Sequence, residues 1–173
     1  TANTTTKAVT GLSDSTTYYF AVLVKDALGN KALYTPASQA PTDATNPTVG
    51  TAISFSSVSS TSLTVNWGAG SDNVTAQSSL QYKVVKASAS ASIDTVAEAD
   101  AIVGGNLVMD WTANTTTKAV TGLTDNTTYW FAVLVKDAAG NKQTLFFGKQ
   151  LSRFGFAERM RHVVQILVVE HCD

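Results

Sequence analysis

Imidazole and thiol side chains, the usual carriers of nucleophilic catalysis and zinc binding, occur only near the C-terminus, as His162, His171 and Cys172. Residues 1–150 contain neither, so a Ser/His/Asp or Cys/His arrangement cannot be assembled there. His162, His171, Cys172 and Asp173 have atoms that suit zinc, but no C-x-x-C or H-x-x-x-H spacing accompanies them. Carboxylates remain: Asp72, Asp94, Asp110, Asp125 and Asp137 fall at turns and segment ends, not on facing strands as a glycosidase pair requires. Asp72 beside Asn73, and Asp137 with Asn141, offer hard oxygens in loops and raise calcium as a ligand. The same residues are common turn formers, and that simpler role accounts for them. Gly104-Gly105 reads as a helix stop rather than a phosphate cradle. The expectation is therefore no catalytic residue, no metal site and no cofactor.

The remaining candidates are aromatic. Trp130 and its counterpart Tyr19 are placed to face outward from a sheet, where a flat ring can stack on a sugar or a partner's side chain. Lys83 completes this binding set; with Val85 it would alternatively cover the Trp130 ring by ordinary cross-strand packing. Trp130 and Tyr19 belong to an internal repeat: residues 1–31 return 111 positions later as residues 112–142, differing only at Ser13/Thr124, Ser15/Asn126, Tyr19/Trp130 and Leu28/Ala139. A period of one small domain marks a tandem array.

The elements that position these residues are short. Ile53 and Phe55; Leu63, Val65 and Trp67; Leu80, Tyr82 and Val84; Val120 and Leu123; and Tyr129, Phe131, Val133 and Val135 recur at strand spacing between turn-rich stretches, as in an antiparallel sandwich. In the last segment the odd residues form a core face, leaving Trp130, Ala132, Leu134 and Lys136 on a mixed one. Thr95 followed by Glu98, with Gly104-Gly105 beyond, predicts a one- to two-turn helix within 94–104 that covers the side of the sandwich. All three prolines, Pro36, Pro41 and Pro47, lie in one polar stretch that reads as a linker.

Together, Leu63-x-Val65-x-Trp67, Tyr82-x-Val84, Val120-Thr121-Gly122-Leu123 and Thr127-Thr128-Tyr129-x-Phe131-x-Val133 resemble a fibronectin type III domain, in a form similar to those of bacterial secreted and surface proteins. The resemblance spans roughly residues 46–142. It implies an all-β, immunoglobulin-like sandwich with Trp67 between the sheets and Tyr129 as a tyrosine corner bonding back near Leu123. Trp67, Tyr82, Leu123 and Tyr129 are thus expected to be structural. Residues 87–110 depart from the short animal form.

The domain reading has four parts: the C-terminal half of one module at 1–40, a linker at 41–48, a complete module at 49–147 and an atypical tail at 148–173. Lacking the early strands, 1–40 would leave Tyr18, Phe20 and Val22 poorly covered, at about 1.5–3 kcal/mol for each large side chain. The tail is either foreign sequence, such as a shifted reading frame, or a distinct C-terminal element; Gln143–Phe147 can still supply a last strand, and Val163–Val169 reads as a strand or a short buried helix, its β-branched content favouring the strand.

With 44% hydrophobic and 14% charged residues the chain can fill a core, and a formal net charge of −1 gives no footprint for nucleic acid. No run reaches the roughly 18 apolar residues that span a bilayer, and any leader would precede Thr1, which falls inside a repeat. The function expected is a non-catalytic, extracellular or cell-surface bacterial repeat. It would act as spacer and as adhesive or protein/carbohydrate interaction module, with neighbouring modules, polysaccharide or a surface protein as partners. The alternative is an accessory module of a secreted polysaccharide-degrading enzyme.

Overall fold

A computed structural model describes the backbone of residues 4–151 and the side chains of residues 4–145. Val163–Val169 and the His/Cys tail lie outside the described residues. The chain divides into two compact units, Thr1–Ala44 and Thr45–Asp173.

The first unit is one broken antiparallel hairpin. β1 (Tyr18–Phe20) pairs with β4 (Ala37–Gln39), and β2 (Leu23–Lys25) pairs with β3 (Lys31–Leu33). Its turn is held by Asp26, whose Oδ1 accepts from the Leu28 and Asn30 amides at 2.9 and 2.8 Å.

The second unit is an all-β sandwich of seven strands among the described residues. They are β5 (Ser54–Ser56), β6 (Leu63–Asn66), β7 (Gln81–Ala87), β8 (Leu107–Ala113), β9 (Thr117–Val120), β10 (Thr128–Lys136) and β11 (Lys142–Leu151). One sheet has the order β5-β6-β9 and the other β11-β10-β7-β8. Alternation places Leu63, Val65, Val120, Tyr82, Phe131 and Val133 in a shared core between the sheets. Phe55 reaches across to Phe131 with ring centroids 5.4 Å apart, and Trp67 packs on Tyr82 at 5.9 Å. The Tyr82 hydroxyl accepts from the Gly70 amide at 2.8 Å, anchoring the loop after β6. Beside it two backbone segments nearly touch: a Cβ on Gly50 would lie 2.3 Å from the Gly68 carbonyl oxygen, so a side chain there would push them apart.

The expected helix is present as α1 (Val96–Ala101). The Thr95 Oγ1 accepts from the Glu98 amide, and the Glu98 carboxylate accepts from the Thr95 amide, both at 3.2 Å. It stops short of Gly104-Gly105, because Ile102 is already extended. The expectation of a mixed outer face on β10 needs correction. α1 covers that face: Ala132 and Leu134 join Val85, Ala87, Ile93 and Ala99 in a second buried cluster. Both faces of β10 are therefore packed, and Phe131 to Val135 form an uninterrupted buried run, as in a central strand covered on both sides.

The two hairpins share one register. Lys136, Leu134 and Tyr129 of β10 stand opposite Lys142, Thr144 and Gln150, and Lys25, Leu23 and Tyr18 stand opposite Lys31, Leu33 and Gln39. Every one of these pairs is displaced by the repeat period, although the residues after Lys31 and after Lys142 are unrelated.

Candidate functional site

Trp67, Tyr82 and Leu123 are buried in the inter-sheet core, and Tyr129 is half-buried. The Tyr129 hydroxyl accepts from the Thr124 amide at 3.0 Å, next to Leu123, and the Tyr18 hydroxyl accepts from Ser13 at the same distance in the first unit. That hydrogen bond from Thr124 holds the Tyr129 phenol below its ordinary pKa, with the Lys86 ammonium adding to the effect.

The three residues singled out for binding lie in different surroundings. Trp130 is half-buried and packs against the cluster under α1. Its direct cross-strand partner is Ala87, not Lys83 or Val85, because β7 pairs with β10 so that Val85 faces Ala132 and Lys83 faces Leu134. Lys83 is buried, and its ammonium donates to the backbone carbonyl of Asp100 and, at 3.4 Å, to the Asp100 carboxylate. Tyr19 is 82% exposed and is the one of the three that presents its ring to solvent.

Around Lys83 the structure assembles a polar cluster that sequence spacing does not reveal. Asp100 sits in the last turn of α1, where a carboxylate opposes the helix dipole. Two lysines offset this: Lys83 from β7, and Lys142 from the start of β11, whose Nζ lies 2.5 Å from Asp100 Oδ2. Lys142 also stands 5.6 Å from the centroid of the Trp111 ring, and Lys136 stands 4.5 Å from it. Trp111 on β8 is thus already engaged by two ammonium groups. A lysine on a strand and an aspartate at a helix end, 17 residues apart, carry no joint periodicity, and only the docking of α1 brings them together.

Burial would push the Asp100 carboxyl up; the hydrogen bond and charge of Lys142, with the charge of Lys83, outweigh it and hold the group below the ordinary carboxylate value. A pKa lowered in the folded state contributes stability that is complete above the unfolded value and lost as pH falls through the folded one. Asp100→Asn is therefore expected to lower the Tm at neutral pH, and the gap to wild type should close below about pH 4. Melting curves from pH 2 to 7 check this; a gap of constant size would show that the ion pairs contribute nothing.

A pair of carboxylates lies in the loops, where Asp72 and Asp137 oxygens approach within 4.8 Å. Both serve as turn acceptors: Asp72 Oδ2 accepts from the Val74 and Thr75 amides, and Asp137 from Gly140 and Asn141, while Asp72 Oδ1 is buried with no hydrogen-bond partner among the described residues. No helix among the described residues is long and apolar enough to cross a membrane.

No family model matches the chain. It is similar to exoglucanase B of Cellulomonas fimi, 35% identical over 146 residues, which cover 82% of this chain and 12% of that protein. It is also similar to chitinase A1 of Niallia circulans, 31% identical over 79% of this chain and 17% of the relative. Chitinase Chi52 of Paenibacillus xylanexedens is 36% identical over 57% of this chain and 15% of its own length. The chain therefore spans less than a fifth of each curated relative, and its likeness is to a small part of an exoglucanase and of two chitinases.

Proposed function

We propose that the chain is a non-catalytic accessory part of an extracellular polysaccharide-degrading enzyme, built of fibronectin type III-like modules that space and weakly tether their neighbours. The observation that carries this reading is the shape of the matches: most of this chain aligns with 12 and 17% of an exoglucanase and a chitinase. The three-plus-four strand sandwich, the tyrosine corner and the lack of His and Cys in residues 1–150 support it. Repetition of such a module multiplies weak contacts through effective concentration. The reading as an adhesion module of a bacterial surface protein is favoured by the outward ring of Tyr19.

One measurement tests the non-catalytic role that both readings share, and a second separates them. The full chain should release no reducing sugar from cellulose or chitin, and release would overturn the non-catalytic role. Fused to a chitinase catalytic domain, it should raise hydrolysis of insoluble chitin while leaving a soluble substrate unaffected; equal rates on both would remove the accessory role.

A further inference from the structure

We propose that α1 is a hinged cap that lifts from the sheet as a unit while the sandwich beneath it stays folded, with Asp100 as the latch that sets how often it lifts. Among the described residues the core between the sheets contains none of 88–106, whereas the cluster under α1 depends on that segment for Ile93 and Ala99. The backbone of β10 is likewise independent of the cap, because β7 and β11 pair with it on either side. Lifting α1 therefore gives up one cluster and leaves the strand ladder and the other core in place. That is the condition for opening below the level of global unfolding.

α1 adds little to its own stability. At six residues it is shorter than helices that persist alone in water, and the Asp100 carboxylate in its last turn opposes the helix dipole. Ala99 is its one buried residue, so it stays in place through Ala99, through Ile93 ahead of the helix and through Asp100. The Asp100 ties reach two strands: buried Lys83 of β7 donates to its backbone carbonyl and its carboxylate, and Lys142 of β11 donates to the other carboxylate oxygen. Gly104, at φ +63°, and Gly105 follow the helix, and a Cβ on either would meet nothing within 4 Å, so no packing restrains the hinge there. Opening uncovers Val85, Ala87, Ala132 and Leu134, an apolar strip against which Trp111 and Trp130 also pack. The cap thus hides an apolar, indole-bearing surface when closed and presents it when open.

Thiol labelling of the full chain carrying Cys172→Ser tests this. Ala132→Cys places a thiol under the cap, and Val133→Cys places one in the core between the sheets, one residue along the same strand. A bulky thiol reagent should modify the Ala132→Cys protein at least about a hundredfold faster than the Val133→Cys protein. Adding Asp100→Asn should speed the first about tenfold and leave the second unchanged. Ala87→Cys, a second position under the cap, should behave as Ala132→Cys does, and amide exchange in β10 checks that each variant keeps the sandwich. Equal labelling at 132 and 133 overturns the proposal, because the cap then opens only with the whole module. Labelling under the cap that Asp100→Asn does not change overturns it too, because Asp100 is then not the latch.

Discussion

Trp67→Ala is expected to destabilise the complete module by about 3–5 kcal/mol, enough to leave much of the population unfolded in a domain of ordinary stability. The indole is buried against Tyr82, 5.9 Å away, and belongs to the cluster that joins both sheets. Its Nε1 is buried and finds no acceptor among the described residues, so the loss is one of packing and of the cavity left behind. Trp67→Phe, which keeps an aromatic ring and removes the unpaired donor, should therefore recover most of the stability. Urea denaturation followed by tyrosine fluorescence would measure both variants. Equal and small losses would mean that the sheets are held together elsewhere.

That Trp67 lies inside is what the resemblance to fibronectin type III domains implies, and the local alternation of Leu63, Val65 and Trp67 is the pattern that carries that resemblance. The helix was legible for a similarly local reason: the Thr95–Glu98 capping box lies within four residues, and both of its hydrogen bonds form. The outer face of β10 was not. Trp130, Ala132, Leu134 and Lys136 read as a mixed face because, although the helix is expected to cover a side of the sandwich, no periodicity tells that Ile93, Val96 and Ala99 pack on this strand. For the same reason Lys83 reads from the sequence as an outward binding residue, whereas the structure buries it beside Asp100. Pairing across distant elements is a tertiary event, and composition marks it only faintly, as a lysine within a strand that is otherwise largely apolar.

The acceptance of an unrelated last strand leads to the second large effect. Asp137→Ala is expected to cost about 3 kcal/mol and to loosen the pairing of β11. The buried Asp137 carboxylate accepts from the Gly140 and Asn141 amides at 2.7 and 2.8 Å and from the Asn141 side chain at 2.7 Å. The Asp137 amide in turn donates to the Asn141 carbonyl at 3.1 Å, closing the turn from both sides. Asp26 and Asn30 make the equivalent bonds in the first hairpin, with an amide of the same turn at 2.8 Å and the Asn30 side chain at 2.7 Å. The turn thus sets which residues face each other before the following strand is chosen, and the strand need only offer backbone amides and carbonyls to a free edge. This explains why Lys142–Leu151 pairs in the register of Lys31–Gln39 without sharing its sequence. Asp137→Asn keeps one acceptor but sets an amide donor against the Asn141 donor, so its loss should fall between wild type and alanine. Asp26→Ala, in a turn open to solvent, should shift the main unfolding transition little. Amide exchange across Lys142–Thr144 with a urea melt checks all three variants; unchanged protection in Asp137→Ala would place the control of register in the strand itself.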